Sequence, residues 1–98
     1  MFDFIKKLFG GSTVNYSELI ENGAVIVDVR TPQEYRSGNI RGSLNIPLDQ
    51  LKGNLKKIKK DKPVIVCCAS GMRSGAAKGV LQSNGFTQVY NAGSWHKL

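Results

Sequence analysis

Two runs of branched apolar residues dominate the hydrophobic pattern of this chain: residues 24–29, Ala-Val-Ile-Val-Asp-Val, and residues 64–68, Val-Ile-Val-Cys-Cys. Val64, Ile65 and Val66 are uninterrupted, as in a strand covered on both faces of a parallel sheet, and the first run reads as another central strand that ends at Asp28, Val29 and Arg30. Pro63 suits the start of the second run, where its missing N–H does little harm. Elsewhere apolar residues recur at helical spacing. Leu48, Leu51, Leu55 and Ile58 mark the inner face of a basic amphipathic helix over residues 49–58. Ala77, Val80 and Leu81 do the same for a helix from about Ser74 to Ser83 or Asn84, with Gly85 as its stop. Two shorter helices carry their own punctuation. Asn15 caps the first, with Leu19 and Ile20 on its buried side and Asn22-Gly23 at its end. Thr31, Pro32 and Glu34 open the second as a capping box, and Gly38 closes it. Residues 43–47 and 86–90 read as two further short strands. Alternating strands and helices predict an α/β domain with a central, mostly parallel sheet and helices on both faces.

This domain occupies residues 14–98. Residues 1–13 read as an N-terminal arm, with Phe2, Ile5 and Phe9 on one helical stripe and Gly10-Gly11-Ser12 at its end. A 98-residue chain allows one core of its own. At 41% hydrophobic and 21% charged residues, the composition matches neither a disordered nor a membrane profile. No apolar run approaches the ~20 residues of a membrane span, and the N-terminus lacks the apolar core and cleavage site of a secretory leader. The two cysteines are adjacent and cannot frame a disulfide scaffold, so a reducing, cytoplasmic setting is expected. Net charge is +7, with Lys52, Lys56, Lys57, Lys59, Lys60 and Lys62 inside eleven residues. Without interleaved aromatics this cluster reads as a solvated helix face and its exit loop, and no nucleic-acid partner is expected.

The chemistry concentrates after the second apolar run. Ala69, Ser70, Gly71 and Met72 are small or flexible enough to curl their N–H groups toward one point, and a helix opens at Arg73. A cysteine facing turned-in amides and a helix N-terminus has its thiolate stabilised, and an anion can be held beside it. Cys68 fits that position, whereas Cys67, still in strand phase, reads as a small buried hydrophobe. Arg73 either orients the anion or locks the loop, and Ser74 reads as a cap or loop hydrogen bond. Asp28, Arg30 and Glu34 follow the end of the first central strand. They place Arg30 at a pocket rim, or they form a network tying that strand to the loop, with Asp28 and Glu34 as structural support. His96, the only histidine, reads as a surface residue rather than a partner of Cys68. Adjacent cysteines without a second pair lack the spacing of a zinc site.

The loop Cys68-Ala-Ser-Gly-Met-Arg73-Ser74 resembles the active loop C-x-x-G-x-R-S of rhodanese (sulfurtransferase) domains of the single-domain type. The block from Asp28 through Glu34, Tyr35, Gly38, Ile40, Gly42 and Asn45 to Pro47 is similar to that family's upstream signature, with Asn39 where the family usually has histidine. Val89-Tyr-Asn-Ala-Gly93-Ser-Trp95 resembles its C-terminal strand, glycine turn and tryptophan. The three matches cover most of residues 14 to 95. The resemblance implies a sulfurtransferase that works through a Cys68 persulfide without metal or organic cofactor. Its donor would be thiosulfate or a protein or low-molecular persulfide, and its acceptor cyanide or a thiol such as thioredoxin or glutathione. Ala69, Ser70, Gly71, Met72, Arg73 and Arg30 would hold the donor, supported by Asp28, Glu34 and Ser74. Two other readings stand beside it. Cys67 and Arg73 have the five-residue separation of cysteine-dependent phosphatases and arsenate reductases, although the glycine then falls out of place. A non-catalytic binding module is the other, although its usual sign, a missing nucleophile, is not seen here.

Overall fold

The two apolar runs lie side by side at the centre of a four-stranded sheet, as β1 (Val25–Asp28) and β3 (Val64–Cys68). The computed structural model describes residues 14–98, so the arm over residues 1–13 lies outside the described residues. β2 (Leu44–Asn45) pairs with the outer side of β1 and β4 (Val89–Ser94) with that of β3, giving the order β2-β1-β3-β4. Every pairing is parallel, so the chain must cross over between strands. The helices are α1 (Tyr16–Glu21), α2 (Pro32–Arg36), α3 (Leu48–Leu51), which continues as a 3-10 turn over Lys52–Lys57, and α4 (Met72–Ser83). A 3-10 turn, Trp95–Lys97, follows β4.

Side chains of successive strand residues point to opposite faces, and both faces are covered. Val27, Val64, Val66 and Cys68 pack with Leu51, Ile58, Ala77, Leu81 and Phe86. Ile26, Ile65, Cys67 and Ala92 form the opposite layer, against which Tyr16, Leu19, Ile40, Trp95 and Leu98 pack. The predicted α/β class is therefore the observed one. The alternation also sends the neighbouring cysteines to opposite sides of the sheet.

Local differences from the expected elements have physical causes. α1 is only six residues long and presents one narrow stripe, so Leu19 packs inward while Ile20 stays 37% exposed. The helix expected over residues 49–58 is α-helical only as far as Leu51 and then tightens, with Asn54 at non-helical φ −126° and ψ 20°. Gly53 and Asn54 are weak helix formers, yet Leu51 and Ile58 are still buried and Leu48 and Leu55 pack beside them. The last strand begins at Val89 rather than Phe86. Phe86 donates its N–H to Leu81 and turns into the core just after Gly85, whose φ is +92°. The six clustered lysines are all exposed. Among the described residues, no helix is long and apolar enough to cross a membrane.

Candidate active site

β3 ends at Cys68, on the edge of the sheet where α/β folds gather their ligands. The chain turns into α4 through Gly71, whose φ of +116° is one that L side chains rarely adopt. This turn aims backbone donors back at the cysteine. The Gly71 N–H lies 2.9 Å from Cys68 Sγ, the Ser74 N–H 3.4 Å, and Ser74 Oγ also 3.4 Å. Cys68 itself is 0% exposed. Burial pushes its thiol up, but the Ser74 hydroxyl and the amides of Ser74, Gly71 and Ser70 together outweigh burial and hold it below the ordinary thiol value. Cys67 faces the other layer. There burial, with the Asp28 charge behind it, pushes the thiol up to about 12. Two adjacent cysteines thus have opposite tendencies: one is stabilised as an anion and the other is kept protonated at neutral pH.

β4 reaches the loop through a bulge. Val66 pairs with Asn91 and Cys67 with Gly93, so Ala92 is the extra residue. Asn91 Oδ1 sits 2.6 Å from Ser74 Oγ and accepts the Gly93 N–H at 2.9 Å. Gly93, at φ +80°, lies against the loop: a β-carbon on Gly71 would be 3.5 Å from its Cα.

Two ion pairs brace the surroundings. Arg73 meets Glu34 with two parallel hydrogen bonds of 2.6 and 3.0 Å. Glu34 also accepts the Thr31 N–H at 3.0 Å in the predicted capping box. The Arg73 guanidinium, then the Thr31 amide, holds the Glu34 carboxyl down at about 2. The second pair shows which of the two places left open for Arg30 it takes. Arg30 is not at a pocket rim: it is 3% exposed, with its donors committed to Asp28 at 2.7 to 3.0 Å and to the carbonyls of Gly38 and Glu34. Its guanidinium lies 4.5 Å from the Trp95 ring centroid. Asp28–Arg30 and Glu34–Arg73 are accordingly two separate ion pairs, and Arg30 links them by donating to the Glu34 main-chain carbonyl.

Beside the loop, Val29, Thr31, Pro47, Leu48, Asp49 and Arg73 line an open cleft of about 330 Å³. Ala69 and Ser70 are exposed, and Met72 is 86% exposed. His96 is an exposed residue whose ring lies 4.1 Å from that of Trp95, tilted by 32°, and Asn39 donates to the Tyr35 carbonyl at 2.9 Å. Among the described residues, no three His, Cys, Asp or Glu side chains come together as metal ligands. Reading by residue type overlooks Asn91 as a site residue and Trp95 as the cover of Arg30. The one local signal for Asn91 is its place two residues before a glycine, where an asparagine side chain can accept that residue's N–H.

The Rhodanese-like domain model matches residues 12–97. Over 68 residues the chain is 47% identical to an uncharacterised protein, YqhL, of Bacillus subtilis, covering 69% of this chain and 54% of that protein. Over 69 residues it is 41% identical to the thiosulfate sulfurtransferase PspE of Escherichia coli, covering 68% of this chain and 66% of the relative. The chain thus spans about half of the first relative's length and just under two thirds of the second's. A solved structure described as rhodanese with anions from E. coli superposes with a TM-score of 0.73 at 35% identity, over 78% of this chain and 92% of that one. With the family model matched over residues 12–97 and an α/β structure that superposes on a solved rhodanese, the chain belongs to the rhodanese-like domain family.

Proposed function

We propose that this protein is a sulfurtransferase that carries a sulfane sulfur on Cys68. The observation that carries the reading is the Cys68 sulfur at the end of β3, surrounded by N–H donors and held below the ordinary thiol value. With thiosulfate as donor, the Cys68 thiolate attacks the outer sulfur. A Cys68 S–S bond forms, the bond to the sulfonate sulfur breaks, and sulfite leaves with the electron pair. A thiolate or cyanide then attacks the outer sulfur of the persulfide, and the Cys68 thiolate is restored. The amides of Ser70, Gly71 and Ser74 serve the negative charge on Sγ, which moves to the outer sulfur during transfer. The names of relatives such as the E. coli PspE support thiosulfate as donor, while a persulfide donor obeys the same chemistry. Reaction requires the exposed outer residues of the loop to move aside, since Sγ is covered at rest.

In this reading Arg73 positions the loop through Glu34 and presents positive charge to the neighbouring cleft, while Arg30 and Asp28 are scaffold. The phosphatase spacing counted from Cys67 goes unused, because Cys67 faces away from the loop and is held protonated.

Intact-protein mass after incubation with thiosulfate tests the proposal. Wild type and Cys67→Ser are expected to gain one reductant-labile sulfur, and Cys68→Ser none. No gain in wild type, or equal loss in both variants, would overturn it.

A further inference from the structure

Ser74 Oγ stands at a junction with one hydrogen to give and three neighbours able to take it. Asn91 Oδ1 is at 2.6 Å, the Gly71 carbonyl at 3.1 Å and Cys68 Sγ at 3.4 Å. The Gly71 carbonyl and Asn91 Oδ1 each already accept one N–H, so distance decides, and the longer contact makes the Gly71 carbonyl the weaker claimant. Asn91 cannot present its amide nitrogen instead, because the same oxygen accepts the Gly93 N–H. At rest, therefore, the Cys68 thiol donates to Ser74 Oγ and the hydroxyl donates to Asn91. A thiolate has no proton to give and needs the hydroxyl hydrogen turned toward it.

We propose that Asn91 is a positioning residue, competing with Cys68 for the single hydroxyl hydrogen of Ser74 and so setting how readily the sulfur becomes an anion. The hydrogen follows the charge on Sγ. It points to Asn91 Oδ1 while Sγ is neutral, in the thiol or as the inner sulfur of a persulfide, and turns to Sγ when the thiolate forms and the thiol proton passes to solvent. The Gly93 N–H keeps Asn91 Oδ1 satisfied in either state, so the turn strands no polar atom. The bulge in β4 and the φ of Gly93 serve this arrangement by presenting Asn91 to the first turn of α4. Other charged and titratable groups near Cys68 are Arg73 on α4 with its partner Glu34 from α2, the Cys67 thiol, and beyond it the pair of Asp28, at the end of β1, with Arg30 just after it. On the β4 side, Tyr16 donates to the Asn91 carbonyl. None of these is a hydrogen-bond partner of the Ser74 hydroxyl.

The inference rests on Cys68 as the reacting group, and its test does not need turnover. Iodoacetamide alkylation of Cys68, followed by peptide mass across a pH series, reads the thiolate directly. Asn91→Ala frees the hydrogen for sulfur, so the midpoint moves to lower pH and alkylation below the midpoint becomes roughly tenfold faster, the worth of one charge-assisted hydrogen bond. Asn91→Asp holds the hydroxyl more firmly and adds a like charge, moving the midpoint to higher pH. In a Ser74→Ala background the Asn91→Ala effect vanishes. A midpoint unmoved in both Asn91 variants, a rate raised equally at every pH, or a shift that survives Ser74→Ala would overturn the inference. A Cys68→Ser protein that still loads sulfur would overturn the functional reading instead.

Discussion

Glu34 and Arg73 stand 39 positions apart in sequence, yet their side chains meet fork to fork at 2.6 and 3.0 Å. The pair joins the first turn of α2 to the first turn of α4, and so ties the loop that holds Cys68 to the end of β1.

This pair sets an acid limit. The Glu34 carboxyl lies at about 2 in the fold, below its ordinary range near 4.3. Its contribution is therefore complete above that ordinary value and is lost as pH falls toward about 2. Both side chains are about a third exposed, so salt should weaken the contribution. Thermal unfolding from pH 6 to 2.5 should show a steeper acid limb in wild type than in Glu34→Gln. Parallel curves would mean that the pair contributes nothing. At neutral pH, Arg73→Ala should raise the thiosulfate KM more than it lowers stability, and unchanged donor kinetics would reduce Arg73 to scaffold.

Arg30 should behave differently. Removing one member of a buried pair leaves Asp28 charged, buried and uncompensated, so Arg30→Ala should lose about 3–5 kcal/mol in urea unfolding. Arg30→Lys should recover only part, because an ammonium cannot reach Asp28 and the Gly38 and Glu34 carbonyls together. A loss below about 1 kcal/mol accompanied by a raised donor KM would mean that Arg30 binds substrate after all.

Two glycines separate loop geometry from general glycine effects. Gly71→Ala should cost about 1–3 kcal/mol because its φ of +116° is hostile to a β-carbon. It should also slow sulfur loading by moving an amide off Sγ. Gly53 has open space around it and no positive φ, so Gly53→Ala should be neutral or mildly stabilising without affecting loading. Equal loading rates in the two variants would remove the Gly71 amide from the proposed cradle.

The central strands were legible because Val25-Ile-Val27 and Val64-Ile-Val66 are β-branched triplets, which have few other uses. The capping box of α2 was legible because Thr31, Pro32 and Glu34 each serve a helix start. The α-to-3-10 change after Leu51 was not, since the apolar spacing is served by either helix. Gly53 and Asn54 tip a balance worth only about 1 kcal/mol. At the site, Cys68, Gly71 and Ser74 stood within one short stretch. The partner of Glu34 did not: nothing local says whether Arg30 or Arg73 will receive it. The Asn91 contact was beyond reach for a related reason, because it depends on a bulge that shifts β4 by one residue.

The opposed orientation of Cys67 and Cys68 has a consequence for how long a sulfur cargo would last. Many thiol proteins discharge an activated sulfur through a second cysteine of their own, which attacks and forms an internal disulfide. Here the nearest thiol lies across the sheet, and its α-carbon is only about 3.8 Å from that of Cys68, closer than disulfide geometry favours. On the proposed chemistry, the loaded protein has no self-unloading route through Cys67. Its lifetime would be governed by visiting acceptors, making the domain a courier whose parcel waits for a recipient.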